Sequence, residues 1–147
     1  MSAVQQPSLG DPRATSRKVA AIVAADVAGY TRLMQVDEED THRRMMRLQA
    51  SVIEPQIAAH RGRIVKHTGD GFLAAFANAE DATLCVVELQ RMLTTQEQDE
   101  SPSRRIAFRM AINVAEVIFE AHDIFGDGVN VAARLQTYAE PGGIVIS

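Results

Sequence analysis

Two short strands separated by a Gly-Asp-Gly triplet constrain the fold of this chain more than any other feature. The apolar-rich runs Arg63–Thr68 and Phe72–Phe76 are spaced as the two arms of a β-hairpin. Glycines on both sides of Asp70 let the chain reverse at that point. We therefore expect an antiparallel pair of strands in the middle of the chain, with Asp70 at its tip.

Segments with helical periodicity lie on either side of this hairpin. In Glu38–His60 the apolar residues recur every three or four positions, as on the buried face of a helix, and Pro55 is expected to kink or split that helix. After the hairpin, Asn78 is predicted to cap a second helix, whose apolar stripe runs over residues 82–93. The polar stretch 94–103 is expected to be a loop.

Three further strands complete the pattern. Lys18–Asp26 is predicted as a buried strand, Ile106–Asn113 as an alternating strand with Val117–Glu120 as its second arm, and Ile144–Ile146 as the last strand. A helix containing VNVAARLQ precedes that last strand. The order predicts an α+β fold with a ferredoxin-like βαββαβ core, an additional helix and strand, and an antiparallel sheet with helices packed on one face.

Length and composition set the class of protein. A chain of 147 residues, 46% hydrophobic and 23% charged, is typical of one soluble globular domain. The net charge of −4, without a dense block of Lys and Arg, counts against general binding of nucleic acid or anionic membrane. No run approaches the ~20 apolar residues of a membrane-spanning helix, so no membrane insertion is expected. Residues 1–16 are expected to be a flexible segment ahead of a domain over residues 17–147.

Cysteine usage indicates the compartment. Cys85 is the only cysteine, which excludes an intramolecular disulfide and a cysteine cluster for zinc, and fits the reducing cytoplasm. Its position in an apolar helical pattern predicts a buried small hydrophobic residue. The N-terminus lacks the basic-then-apolar pattern of a signal peptide, so a cytoplasmic protein is expected.

Two aspartates are candidate metal ligands. Asp26 ends the first strand and Asp70 lies at the tip of the hairpin; these elements can be neighbours in the predicted sheet, which would bring both carboxylates to one end of it. Paired carboxylates at such a place suit two divalent ions in phosphoryl transfer. The alternatives are a simple turn residue at position 70 and a solvated strand-end acid at position 26, and the two positions alone leave these open.

A second group of residues can contact phosphate and ribose. Gly29, Tyr30 and Thr31 follow the first aspartate closely, and backbone N–H groups in such a glycine-containing turn can cradle phosphate. Asn130 and Arg134 are four residues apart on one helix face and together offer neutral and charged donors to a phosphate and a ribose oxygen. An arginine on such a helix is also commonly an ordinary surface ion-pair partner.

Lys66 is a candidate for reading a base. Strand alternation places it on the same face as Ile64 and Thr68, and an inward lysine there needs a partner. Asp123 is the candidate acceptor, so that the two together would bind a base edge by hydrogen bonds. The alternative is an ordinary exposed lysine on an edge strand.

These motifs, in this order, resemble the class III adenylate/guanylate cyclase catalytic domain. The resemblance extends from about Arg17 to Ser147. The matching stretches are ADVAGYTRLM (25–34), GRIVKHTGDGFLAAF (62–76), RIAFRMAINVAEV (105–117), DIFGDGVNVAARL (123–135) and EPGGIVIS (140–147).

The resemblance implies a reaction and a role for each candidate. In the family, two divalent ions, Mg²⁺ or Mn²⁺, assist attack of the ribose 3′-hydroxyl of a nucleoside triphosphate on its α-phosphorus, and pyrophosphate leaves. The family's sites form at the interface of a head-to-tail dimer, here a homodimer with two equivalent sites. Metal ligands come from one protomer, and base-reading and transition-state residues come from the other. The roles implied are metal binding for Asp26 and Asp70, adenine selection for Lys66 and Asp123, and ribose and transition-state binding for Asn130 and Arg134.

The chain also departs from the family pattern. Ala111 and Ala115 stand where the family usually has glycine, Glu116 stands where aspartate is common, and the chain ends at Ser147, before the closing hairpin region. The expected function is an adenylate cyclase acting on ATP. The alternatives are a degenerate cyclase-like module for dimerisation or nucleotide sensing, and a guanylate cyclase, which the pair Lys66 and Asp123 disfavours.

Overall fold

A computed structural model describes residues 16–147. The expected flexible segment 1–16 therefore lies outside the described residues, except for Ser16, which begins the first strand. The strands are β1 (Ser16–Val27), β2 (Arg63–Thr68), β3 (Gly71–Phe76), β4 (Phe108–Phe119), β5 (Ile124–Phe125) and β6 (Ile144–Ile146). The helices are α1 (Tyr30–Val36), α2 (Glu38–Leu48), α3 (Glu54–Ala59), α4 (Ala79–Glu97) and α5 (Asp127–Gln136).

The strands form one sheet in the order β2-β3-β1-β4-β5. All of these neighbours are antiparallel, and β6 pairs with β4 in parallel. The predicted α+β fold is confirmed, and the hairpin β2–β3 lies directly beside β1. Asp26 and Asp70 can be close together only if the hairpin is next to β1, as it is here.

Both faces of β1 are apolar, so the sheet is covered on both sides. Alternate residues of β1, such as Val23, join a core with helices α1 to α4. The residues between them, such as Ile22, join a second core that contains Ala132 of α5. Helix α5 therefore differs from the expectation that all helices pack on one face, because successive side chains of a strand point to opposite faces and the second apolar face also needs cover.

Pro55 splits the long helix, as predicted. Helix α2 ends at Leu48, a π-helical turn spans Gln49–Ile53, and α3 begins at Glu54. Proline donates no backbone hydrogen bond and its ring crowds the carbonyl four residues earlier, which lies within the π turn. A wider turn accommodates this defect while the helical segments continue along the same core.

Helix α4 extends to Glu97, beyond the predicted start of the polar loop. Glu97 is only 5% exposed; it forms an ion pair with buried Arg44 of α2 and accepts a hydrogen bond from the backbone N–H of Ile106 at 2.7 Å. Because an unpaired buried charge is costly, this pairing keeps the last helical turn folded against α2. The local polarity of the sequence does not reveal such a contact.

Strand β4 is one continuous strand where two arms were predicted. Its residues 114–116 pair with residues 19–21 of β1 without a break in register. The long β1 pairs with the whole of β4, so Asn113, Ala115 and Glu116 do not interrupt the strand. This pairing fixes the relative positions of the two central strands.

The single cysteine is buried, as predicted. Cys85 has no exposed surface, and its thiol donates to the carbonyl oxygen of Gln56 across 3.6 Å. Burial raises the pKa of the Cys85 thiol to about 12, so the group stays protonated and inert. Within residues 16–147, no helix combines the length and the apolar character that crossing a bilayer requires.

Candidate active site

Pairing of β3 with β1 brings the two candidate metal ligands together. Asp26 lies opposite Gly71 in the register, and the backbone N–H of Val27 donates to the carbonyl oxygen of Asp70 at 2.7 Å. Both aspartates therefore lie at one end of the sheet, on neighbouring strands. Read alone, the sequence left open whether Asp70 is only a turn residue; the structure places it at the same end of the sheet as Asp26.

The second glycine of the triplet makes this approach possible. A side chain at Gly71 would run into the carbonyl group of Ala25, whereas a side chain at Gly69 would meet nothing within 4 Å. Neither residue is among those with positive φ. The predicted reason for these glycines, a backbone conformation that only glycine adopts easily, therefore does not apply at either position. Gly71 is needed because β3 passes close to β1, next to Asp26.

Sequence reasoning missed Arg109, which binds Asp26. This residue of β4 lies directly opposite Asp26, and its Nε and Nη2 donate to the two carboxylate oxygens at 2.9 and 2.7 Å. The hydrogen bonds that it donates to Asp26, together with the negative charges of Asp26 and Asp70, raise the pKa of the Arg109 guanidinium. One permanent cation therefore neutralises the carboxylate of Asp26, in the bidentate geometry that arginine favours.

The donor set at this end of the sheet fits a hard divalent ion. Asp26 and Asp70 offer carboxylate oxygens, but both oxygens of Asp26 accept from Arg109, so that guanidinium has to move before Asp26 can bind a metal. Residues 16–147 contain no group of three or more His, Cys, Asp or Glu placed to hold a metal. An ion held by two carboxylates keeps positions open for water and substrate phosphate, which is how Mg²⁺ is commonly bound.

A groove on the α5 side of the sheet joins these carboxylates to the other candidates. Its volume is about 420 Å³, and residues of β1, β2, β3, β5 and α5 line it. Five predicted site residues are in the lining: Asp26, Asp70, Lys66, Asp123 and Asn130. The predicted residues Gly29, Tyr30, Thr31 and Arg134 are not. The groove therefore unites the candidate metal ligands with the candidate base-reading pair in one chain.

Lys66 and Asp123 form an ion pair in this groove. The Lys66 Nζ donates to Asp123 Oδ2 at 3.0 Å, and both side chains are partly exposed. The other carboxylate oxygen of Asp123 accepts from the backbone N–H of Ile124 at 2.8 Å. This second bond fixes the carboxylate, so that a donor and an acceptor are presented side by side to a ligand.

A β-bulge directs Lys66 into the groove. The pairing of β2 with β3 shifts between Ile64 and Lys66, so that Ile64 lies opposite Ala74 and Lys66 opposite Leu73. Since Ala74 and Leu73 belong to the cores on opposite faces of the sheet, Ile64 and Lys66 also lie on opposite faces. The expectation of strict alternation is wrong here, because the bulge adds one residue to β2.

The turn after β1 starts helix α1 beside the carboxylates. Gly29 caps this helix with φ of 64°, a left-handed conformation that favours glycine, and no side chain caps the first turn. Burial, together with the negative charge of Asp70, raises the pKa of the Tyr30 hydroxyl. Helix α1 begins four residues after Asp26, and its first turn contains Tyr30 and Thr31.

Helix α5 carries the remaining candidates. Asn130 is exposed and faces the groove. Arg134 is also exposed and follows one turn later, outside the lining of the groove of its own chain. The arrangement presents an amide at the groove and a guanidinium on the adjoining open surface of the same helix.

Comparison with known proteins identifies a family. The family model of the adenylate and guanylate cyclase catalytic domain matches residues 13–147 of the sequence. A protein of Rhizobium meliloti (strain 1021) named "Putative adenylate cyclase 3" is 44% identical over 131 residues, 89% of this chain and 22% of that relative. The chain thus spans about a fifth of that protein's length.

Solved structures show the same fold. An adenylate/guanylate cyclase/hydrolase from Silicibacter pomeroyi matches with a TM-score of 0.82 and 45% identity, over 89% of this chain and 77% of that one. The adenylyl cyclase CyaB from P. aeruginosa matches with a TM-score of 0.77 over 90% of this chain and 78% of that one. At 22% identity the latter likeness concerns the fold alone.

Proposed function

This chain belongs to the adenylate and guanylate cyclase catalytic domain family, and from that premise we propose that it is an adenylate cyclase. It would convert ATP to 3′,5′-cyclic AMP and pyrophosphate in a homodimer in the cytoplasm. The observation that carries the proposal is the groove in which Asp26 and Asp70 lie together with the ion pair of Lys66 and Asp123. In the proposed homodimer, each protomer would contribute its metal ligands to one active site and its base-reading pair to the other.

The carboxylates would hold the metal ions. Asp26 and Asp70 would bind Mg²⁺ or Mn²⁺, two ions per site, which when bound withdraw charge from the reacting phosphate and from the leaving pyrophosphate. Arg109 neutralises Asp26 in the absence of metal, so its guanidinium must give way when that carboxylate takes a divalent ion. The N–H groups of the α1 turn at Gly29, Tyr30 and Thr31 would add neutral donors for phosphate.

The pair in the groove suits adenine. Adenine presents an acceptor ring nitrogen beside a donor amino group, whereas guanine presents a donor ring N–H beside a carbonyl. Lys66 is a donor and Asp123 an acceptor, so adenine satisfies both, while guanine would place a carbonyl against a carboxylate. A base that leaves Lys66 and Asp123 mispaired loses these hydrogen bonds, which is how such a site discriminates between bases.

Helix α5 would serve the reacting atoms. Asn130 would orient the ribose. Arg134 would stabilise negative charge at the α-phosphate while the bond between the α-phosphorus and the ribose 3′-oxygen forms and the bond between the α-phosphorus and pyrophosphate breaks. No histidine lines the groove in the described part of the chain, so positioning and charge stabilisation would lower the barrier. The position of Arg134 outside its own groove supports a site shared between two protomers.

Turnover of ATP and GTP tests the proposal. The wild-type protein with Mn²⁺ is expected to release cyclic AMP and pyrophosphate, and Lys66→Glu is expected to lower the ratio of kcat/KM for ATP to that for GTP by about 10- to 100-fold, or about 1.4–2.7 kcal/mol. The reason is that glutamate replaces the donor with an acceptor and repels Asp123. Initial rates with each nucleotide give the ratio.

Lys18→Glu is the matched control, because it makes the same charge reversal near the opposite end of β1 and should leave the ratio unchanged. A folded wild-type protein that binds ATP without turnover would contradict the proposal and favour a nucleotide-sensing module. The observation that favours such a sensing module is that Arg109 already binds both carboxylate oxygens of Asp26, a proposed metal ligand. A wild-type preference for GTP would instead favour a guanylate cyclase.

A further inference from the structure

We propose that Asn113, Ala115 and Gly128 form a docking contact that sets where α5 lies on β4, and so positions Asn130 and Arg134. The three residues lie outside the groove and are positioning residues. The inference rests on the proposed function for its catalytic consequence. Its structural content, the placement of α5, is measurable without any turnover.

Asn113 is a buried polar side chain in the middle of β4. It is 8% exposed, and its Nδ2 donates to the carbonyl oxygen of Gly128 at 2.9 Å. Its Oδ1 accepts from the hydroxyl of Ser147 at 2.8 Å. A buried amide is costly unless it is paired, and both partners here come from outside β4, in the first turn of α5 and after β6. Asn113 therefore ties these two elements to the central strand.

Gly128 brings the backbone of α5 against β4. A Cβ atom at position 128 would overlap the methyl carbon of Ala115, while its next neighbours, Asn113 Nδ2 and Ala115 Cα, would lie at 3.4 and 3.7 Å. The helix and the strand thus have room for only one methyl group between them, and Ala115 supplies it. The alanine that departs from the family pattern at position 115 is accommodated by glycine on the helix.

This contact is close to the proposed catalytic residues. Asn130 lies two residues after Gly128 on the same helix. Each residue turns an α-helix by about 100° and advances it by about 1.5 Å, so a small shift or rotation of the first turn carries both Asn130 and Arg134 away from their target. Misplacement of catalytic groups by about 1 Å can cost on the order of 100-fold in rate.

Moving the methyl group across the contact tests the proposal. Gly128→Ala is expected to lower kcat for ATP by about 30- to 100-fold with KM changed less than about threefold, because the base-reading pair is on other elements. Ala115→Gly combined with Gly128→Ala is expected to restore kcat to within about threefold of wild type, since the new methyl then occupies the vacated space. The rate of amide hydrogen exchange in α5, measured relative to that in α4, should rise in Gly128→Ala and return to the wild-type value in the double variant.

Asn113→Ala provides a second variant that adds neither a clash nor a charge. It is expected to lower kcat by about tenfold and to speed exchange in α5, and Ala115→Gly should not restore it. Equal kcat and exchange in wild type, Gly128→Ala and Asn113→Ala would overturn the proposal, as would a double variant no better than Gly128→Ala. If the wild type itself releases no cyclic AMP, the proposed function fails, and the exchange data alone decide the positioning role.

Discussion

Replacing Asp70 with asparagine is expected to lower metal-dependent turnover of ATP by at least about 1,000-fold, the equivalent of about 4 kcal/mol. Asparagine keeps the size of the side chain and the hairpin, but removes the charge that a divalent ion needs. The fold should be unaffected because the contact between the hairpin and β1 at this point is made by the backbone of Asp70, which accepts from Val27. Initial rates with Mn²⁺ and Mn²⁺ binding by electron paramagnetic resonance measure the two effects.

Asp127→Asn is the matched control for this substitution. Asp127 is the centre of the second Gly-Asp-Gly triplet of the chain, but it is exposed and does not line the groove. The same loss of one carboxylate should leave both turnover and Mn²⁺ binding within about threefold of wild type. Undiminished Mn²⁺ binding and turnover in Asp70→Asn would contradict the role of Asp70 as a ligand.

Gly71→Ala is expected to abolish turnover and to lower the free energy of unfolding by about 3 kcal/mol or more. The added methyl has no space against the carbonyl of Ala25, so β3 must move away from β1 at the point where Asp26 and Asp70 meet. Hairpin pairing and metal site are thus lost together. Denaturant unfolding and initial rates of cyclic AMP formation measure the two effects.

Gly69→Ala, two residues earlier in the same turn, separates this explanation from a general effect on the turn. A side chain at position 69 meets nothing within 4 Å and the residue has no positive φ, so its stability should change by less than about 1 kcal/mol and its turnover should persist. Equal losses in the two variants would show that the triplet is needed for the turn itself and not for the close approach.

Local patterns were sufficient to predict the elements that local interactions determine. Strand β2 has the predicted bounds, Arg63–Thr68, and Asn78 caps α4 by accepting from the N–H of Asp81, as its position before a helical stripe predicted. The proximity of Asp26 and Asp70 followed from strand order alone. The strand and the helix cap depend on interactions between residues close in sequence, and the strand order was predicted from the order of the elements along the chain.

Contacts between distant segments explain the differences. The end of α4 depends on the pairing of Glu97 with Arg44, and the continuity of β4 depends on its register with β1. Arg109 was missed because it meets Asp26 only through that register, across 83 positions of sequence. The bulge that directs Lys66 into the groove lies in the segment Ile64–Lys66, which contains no glycine to indicate a bulge. Strand register is thus the information that the sequence did not display.

In the proposed homodimer each active site takes residues from both protomers, and mixing two inactive variants shows whether it does. Asp70→Asn lacks a metal ligand and Arg134→Ala lacks the proposed transition-state residue, so a mixed dimer contains one site with both defects and one intact site. If half of the dimers exchange to the mixed form, an equimolar mixture is expected to recover about a quarter of wild-type cyclic AMP formation. A mixture as inactive as each variant alone, with subunit exchange verified and the wild type active, would contradict a shared site.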